Sequence, residues 1–550
     1  MRFLALLLLF SQALALFSQG GMVVSQDRLA SEVGAQVLRD GGTAVDAAVA
    51  TAFALAVTHP LAGNIGGGGF LLARDTSGEA DFYDFRETAP RAAHPEMFLV
   101  NGKYDSTKHH WGHGSSGVPG TVAGLHLAWK EKGKLPWAKL IEPAVKLARE
   151  GFIVTKALAD ALEGALPRFR SYPASMAQFS KSGDPFKEGD RLVQTDLANT
   201  LERIAKHGPK GFYRGETAKL IVKEMKVGNG HITARDLRGY SAVKRKPVQG
   251  TYRGYQVLGA PLPSSGGIAV IEALNILEGY DTGKMEWDSA PFVHHVAEAL
   301  RRAFSDRARH LGDPDFEKDI PVERLLSKEH ATLLRRNIHS DRASASSPTQ
   351  FEWPHEGGET THLSVIDRAG NAVSLTYTLE ASFGNHIVVS GAGFLLNNEM
   401  GDFNAGPGLT DATGLIGTQP NLARPKKRML SSMSPTIVVK DGRAWLITGT
   451  PGGRTIISTT LLTILAAIDF QQGAQEIVDA PRFHHQWLPD RIRYERDKFS
   501  PATLEAIKAM GHDVQEVVRQ GAANIILFRN GRWEGGADNT RWADCAAVME

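Results

Sequence analysis

The chain has 550 residues, 42% of them hydrophobic and 22% charged, with a net charge of +2. That composition is globular, with room for several domains or one large α/β unit, and the scattered charge offers no field for nucleic acid or an anionic membrane. The single cysteine, Cys545, excludes an internal disulfide framework and sits in no nucleophile motif.

The first residues differ from the rest. Arg2 precedes an apolar run over 3–10, followed by Ala13-Leu14-Ala15. This pattern predicts a cleavable secretory signal cut after Ala15 and a periplasmic or extracellular protein. The run is too short for a membrane span of about 20 residues, and none is expected after the signal is removed.

Residues 29–56 carry helical spacing, broken at Gly41-Gly42. Gly66 to Gly69 resemble a phosphate cradle, but no Gly-Lys-Ser/Thr follows, so they predict close backbone packing. Strand-like runs follow at 70–73 and 82–85. Residues 137–311 read as mostly helical, with a clear amphipathic helix over 293–310. Residues 342–358 are rich in Ser, Pro, Glu and Gly and predict an exposed, mobile segment. Beyond it, 361–379, 387–396, 436–448 and 524–529 are β-like, with helices over 455–470 and 502–510. Helices and strands fall in blocks, which favours helices layered on a mostly antiparallel core.

The mobile segment runs directly into a hairpin. Residues 360–367 and 371–378 are β-rich and flank a turn at Arg368-Ala369-Gly370. A turn centred on Ala369 sets Asp367 opposite Asn371 and Thr360 opposite Thr378, about 5 Å apart between Cβ atoms. A threonine hydroxyl needs a base to act as a nucleophile. A free α-amino group, with a pKa of about 8, can serve, and a cut before Thr360 creates one on the same residue. These threonines also fit as plain β-branched strand residues, and the hairpin alone leaves both readings open. His109, His110 and His113, the pair His294-His295 and the pair His484-His485 lack the spacing of a structural zinc site, so neither metal nor cofactor is expected.

The segment Thr360-Thr361-His362-Leu363-Ser364-Val365 resembles the start of the small subunit of the γ-glutamyltranspeptidase family. The resemblance extends through Asp46 to Ala50, Gly66 to Phe70, Arg86-Glu87-Thr88-Ala89-Pro90, Gly117 to Thr121, Asp306-Arg307, Leu311 to Pro314, Leu396-Asn397-Asn398-Glu399-Met400, Leu430 to Pro435 and Pro451-Gly452-Gly453. It implies an α+β fold, the four-layer αββα sandwich of the N-terminal nucleophile hydrolases. It further implies autocleavage between Glu359 and Thr360, giving a large subunit (16–359) and a small subunit (360–550) that stay together as a heterodimer. By position, Thr360 is the nucleophile, Thr378 its assistant, and Gly452 and Gly453 the oxyanion donors. Arg86, Ser431 and Ser432 hold the substrate α-carboxylate, and Glu399 and Asp402 the α-ammonium. Glu380 stands where many relatives have Asn; it adds a third acid near the ammonium or leans on Arg86. Thr413 lies where some relatives carry a lid tyrosine. The implied reaction takes glutathione or another γ-glutamyl amide and passes the acyl group to water or to an amino acid or dipeptide amine. The alternatives are an acylase of the same fold, acting on glutaryl-β-lactams or poly-γ-glutamate, and an unprocessed secreted binding protein.

Overall fold

The computed structural model describes residues 20–346, 360–409 and 417–550. The signal segment, Glu359 and Thr413 lie outside these residues.

Two antiparallel sheets form the centre. The first takes β1 (Met22–Ser25), β2 (Gly68–Arg74), β3 (Ala80–Asp84) and β4 (Val243–Arg245). The second begins with β5 (Val248–Tyr252) and β6 (Tyr255–Gly259). The hairpin β7 (Thr361–Ile366) and β8 (Ala372–Thr378) returns to the first sheet. β9 (Thr436–Lys440), β10 (Arg443–Thr448), β11 (Asn524–Arg529) and β12 (Arg532–Ala537) complete the second, and β13 (Ala546–Met549) closes the first. The spatial orders are β13-β1-β7-β8-β2-β3-β4 and β12-β11-β10-β9-β6-β5. Strands from before and after position 360 thus interleave in the first sheet.

Helices α1 (Arg28–Arg39) and α2 (Ala44–Thr58) cover the outer face of the first sheet. The second sheet is covered by α3 (Gly266–Leu277), α4 (Ala290–His310) and α6 (Thr455–Ile468), with α5 (Lys328–Arg335) packed on α3. The result is a four-layer αββα sandwich. Strand alternation sorts the residues: Ile437 and Val439 join the core facing the first sheet, while Val438 between them joins the core under the helices. Every residue of α2 is buried, and Thr43 and Asp46 cap its start reciprocally.

The seam between the sheets also carries polar groups. Ser374 Oγ donates to Thr448 O (3.0 Å) and accepts from Thr436 N (3.1 Å). Ser364 Oγ donates to Asn524 O (2.9 Å). Such bonds fix one sheet against the other, because a slip leaves each buried group unpaired.

The hairpin register is the expected one, from Thr361 opposite Tyr377 to Ile366 opposite Ala372. Its turn is locked by Asp367, whose carboxylate accepts from Asn371 N (2.9 Å), Asn371 Nδ2 (2.8 Å) and Ala44 N (3.1 Å) at the start of α2. The glycines 66–69 are close-packed as expected. A Cβ on Gly67 would lie 2.0 Å from Thr378 O, and one on Gly69 2.4 Å from Thr376 O.

Four expectations need correction. Strands β4, β5 and β6 lie inside the region read as mostly helical. Residues 387–396 form no strand; one bridge joins Val388 to Leu395, because Gly391 and Gly393 turn the chain through positive φ (73° and 74°). Helix α4 is buried nearly all round rather than on one face, since its polar residues meet partners on neighbouring elements. Residues 342–346, read as the start of a mobile segment, are pinned: Ala343 N donates to Met510 O (2.7 Å), Ser344 N to Glu298 (3.1 Å) and Ser346 N to Asp490 (2.6 Å).

Candidate active site

Thr360 is buried at the head of β7, at 4% exposure. Its hydroxyl donates to Thr378 Oγ1 across the ladder, at 3.2 Å. The same Thr378 oxygen accepts from Glu380 N (2.9 Å). Thr378 is held from behind, where its carbonyl accepts from Asn64 Nδ2 (2.9 Å). Two residues further along the same strand face, His362 lies between the sheets, with Nδ1 on Thr376 Oγ1 (2.8 Å) and Nε2 on Ser364 Oγ (3.1 Å). Burial pushes its pKa down to about 3, so it is a neutral hydrogen-bonding strut. A Cβ on Gly449 would lie 2.3 Å from this ring. From Gly449 the chain runs through Gly452 (φ 134°) and Gly453 (φ 57°) into α6. These two glycines therefore stand at a helix N-terminus, where backbone N–H groups favour negative charge.

A charge cluster lies beside the threonine pair. Gly68 pairs with Thr378, and a Cβ there would lie 2.7 Å from the Glu87 carboxylate. Arg86, wholly buried, meets Glu399 (2.5 Å), Glu87 (3.5 Å) and Asp402, and its Nε donates to Met429 O (3.3 Å). One cation thus faces three carboxyls. Burial pushes Glu87 up to about 8 and Glu399 well above the usual range, against the lowering pull of Arg86. Glu87 and Glu399 therefore resist ionisation unless another cation arrives. The sequence reading gave Arg86 the carboxylate and Glu399 and Asp402 the ammonium of one α-carbon, and the fold joins the three residues into one array.

Glu380 stands at φ 80°, a costly conformation for a side-chain-bearing residue. Asn398 Nδ2 donates to its carboxylate, and His110 Nδ1 lies 3.7 Å away. Asn398 Oδ1 accepts from Ala381 N (3.1 Å), while Asn397 Oδ1 accepts from Glu399 N (3.0 Å) and Gly117 N (2.8 Å). The two asparagines thus position two acids, a task that sequence reading did not give them. For Asn397 its nearness to Glu399 in the chain was the available signal; the contact of Asn398 with Glu380 had none. Ser431 and Ser432 are buried nearby: Ser431 Oγ accepts from Met433 N (3.1 Å), and Ser432 Oγ from Arg307 Nη2 (3.0 Å). Arg307, on α4, also donates through Nε to Ser265 Oγ (2.7 Å). His109, His110 and His113 group around other partners, His113 with Glu224 (3.0 Å) and His109 with Tyr104 (3.0 Å).

Comparison with known proteins identifies the family of the chain. The family profile described as Gamma-glutamyltranspeptidase matches residues 30–548. The glutathione hydrolase proenzyme of Escherichia coli (strain K12) is 48% identical over 527 residues, covering 94% of this chain and 90% of that one. Among solved structures, the cephalosporin acylase from Bacillus halodurans superposes with a TM-score of 0.84 at 27% identity, covering 96% of each chain. The γ-glutamyltranspeptidase of Helicobacter pylori gives 0.57 at 44% identity, covering 58% of this chain and 91% of that one. Both the threonine-headed hairpin and the match along almost the whole chain place the protein in the γ-glutamyltranspeptidase family, within the N-terminal nucleophile hydrolases.

Proposed function

We propose that the protein is a glutathione hydrolase and γ-glutamyltransferase that matures by cutting its own chain between Glu359 and Thr360. The observation that carries this reading is the Thr360–Thr378 hydroxyl pair at 3.2 Å, set beside a buried array of one arginine and three acids.

In the uncut chain the Thr360 nitrogen is an amide and cannot act as a base. Maturation begins when Thr360 Oγ attacks the Glu359 carbonyl carbon. The C–N bond breaks, the nitrogen keeps the proton from the hydroxyl, and an ester forms. Water hydrolyses the ester and leaves a free α-amine on Thr360. In turnover that amine takes the hydroxyl proton as Oγ attacks the γ-carbonyl of the substrate. The N–H groups of Gly452 and Gly453 stabilise the oxyanion. The leaving amine departs with the proton, and water or an acceptor amine then attacks the ester, releasing glutamate or a new γ-glutamyl amide.

The charge array suits a ligand carrying both an ammonium and a carboxylate. Glu399 and Asp402 attract the ammonium, with Glu380 as a third acid. Arg86, partly released by that exchange, takes the carboxylate with Ser431 and Ser432. An acylase for glutaryl amides is the second reading, favoured by the close superposition on the Bacillus halodurans enzyme. Such a substrate brings no cation to the acids, so glutathione is expected to be cleaved far faster than a glutaryl amide. The segment 1–15 serves as an export signal in this scheme, so the mature protein starts downstream of it.

N-terminal sequencing of the purified protein tests the reading. Two fragments are expected, the smaller starting at Thr360, together with release of glutamate from glutathione. The Thr360→Ala variant is expected to remain one inactive chain; a variant that is still cut before residue 360 refutes the assignment of the nucleophile.

A further inference from the structure

Two groups of side chains outside the active site bring histidine and carboxylate ligand atoms close together among the described residues: His294 with Glu298 and His512, and Glu272 with Asp306 and His330. The first is already saturated. His294 Nε2 donates to His339 O (2.7 Å), its Nδ1 meets His512 Nε2 (2.8 Å), and Glu298 is held by Arg301, Arg302 and Ser344.

The second group is different. Glu272 on α3, Asp306 on α4 and His330 on α5 converge where the three helices meet. Glu272 is 1% exposed, and its Oε1 has no hydrogen-bond partner among the described residues. That orphan oxygen lies 3.8 Å from His330 Nε2, which lies 2.8 Å from Asp306 Oδ2. The three ligand atoms all fall within 4.8 Å of one another. His310, one turn beyond Asp306, places Nε2 4.0 Å from Asp306 Oδ1 and accepts there from Arg324 Nη2 (3.3 Å). Two buried carboxyls thus face each other across a single imidazole, and burial together with Asp306 drives the Glu272 carboxyl well above its usual pKa. A buried oxygen without a donor costs free energy, and so does a pair of facing carboxylates.

We propose that Glu272, Asp306 and His330 bind a divalent transition-metal cation, Zn2+ foremost, that staples α3, α4 and α5 together. Zinc bonds to carboxylate oxygen and imidazole nitrogen are about 2.0–2.2 Å, so tetrahedral ligand atoms lie about 3.3–3.6 Å apart. The separations seen here bracket that spacing, and small side-chain rotations close it. His330 binds through Nε2 with its proton moved to Nδ1, and both carboxyls bind ionised. A water completes the shell. One imidazole among the oxygens selects zinc over Mg2+, which takes oxygen ligands alone and dehydrates reluctantly. The site reaches the catalytic region through a single residue step: Arg307, next to Asp306, holds Ser432 and Ser265. The ion is therefore a structural one that stiffens the support of the substrate-facing serines.

The test uses the purified full protein, stripped with a chelator and titrated with Zn2+ alone by calorimetry, beside Glu272→Gln and His330→Gln. The proposal expects one tight equivalent in the parent, weakened more than about tenfold in each variant, and a Tm that rises with Zn2+ in the parent alone. Mg2+ is expected to leave the Tm unchanged. No tight equivalent in the parent, or parent-like affinity in both variants, overturns the proposal. A Glu272→Gln protein that melts higher without any response to metal also overturns it, and identifies a carboxyl pair sharing a proton. If Glu272→Gln does not fold, His330→Gln decides the matter with Co2+ as the probe: visible absorption present in the parent and lost in the variant supports the site, and absorption retained overturns it.

Discussion

Replacing Thr378 by Val keeps the shape of the side chain and its β-branch but removes one oxygen. That oxygen accepts two hydrogen bonds, from Thr360 Oγ1 (3.2 Å) and Glu380 N (2.9 Å). Loss of the first frees the nucleophile to rotate. A neutral hydrogen bond contributes about 1–1.5 kcal/mol net, and if the whole of it orients the reacting hydroxyl, turnover falls roughly tenfold. Loss of the second strands a buried N–H on a residue already at φ 80°; this costs about 1–3 kcal/mol of stability. Thr378→Val is therefore expected to mature slowly, to turn over a chromogenic γ-glutamyl anilide about ten times more slowly at unchanged KM, and to melt about 1–3 °C lower. Thr378→Ser restores the oxygen and is expected to recover both rates. The measurements are a time course on denaturing gels, steady-state kinetics and a thermal melt. Full maturation and unchanged kcat in the valine variant would refute the argument that Thr378 orients Thr360.

Arg86→Lys keeps the charge but replaces a planar fork with a point donor; KM for glutathione is expected to rise at least about tenfold while kcat changes less, and an unchanged KM speaks against Arg86 as the carboxylate anchor. Gly449→Ala drives a methyl into the His362 ring, at 2.3 Å, and is expected to cost about 1–3 kcal/mol by overpacking and to slow maturation; wild-type processing and Tm would mean that the seam between the sheets yields more easily than its packing indicates. His362 has a folded pKa of about 3 against 6.5 in the unfolded chain. Between those values the unfolded chain binds a proton that the folded one refuses, so stability is lost as pH falls from about 6.5 towards 3. At pH 5 this single residue accounts for roughly 2 kcal/mol. Urea unfolding of the uncut Thr360→Ala chain at pH 7 and pH 5 is expected to show that loss, and His362→Gln to reduce it; equal losses in both chains exclude His362 as a source.

What the sequence made legible was local. The hairpin register could be read because Asp367 and Asn371 bracket a short turn and alternating Thr, His and Ser mark one face. The break between α1 and α2 could be read because two glycines fall at a capping Thr43. Contacts made at long range were hidden. Nothing near Asn398 in the chain announces that it clamps Glu380, and nothing near Arg307 points to Ser432, 125 residues away. Residues 387–396 carried enough apolar side chains to suggest a strand, and the two positive-φ glycines that turn the chain there give no periodic signal. Helix α4 read as one-sided because its polar face meets buried partners rather than water, a distinction that composition does not carry.

The strand order of the first sheet has a consequence for how this protein can be made. β1 lies between β13 and β7, so a piece that starts at residue 360 has a slot in its sheet that only the other piece can fill. Two halves synthesised apart would each expose raw sheet edges and stick to strangers before meeting. On the proposed cleavage, the bond before Thr360 serves first as a tether that keeps both halves at one address until weaving is complete. Once the strands are laced, the tether is dispensable, because the ladders β1–β7, β1–β13, β2–β8 and β6–β9 all join one piece to the other without it.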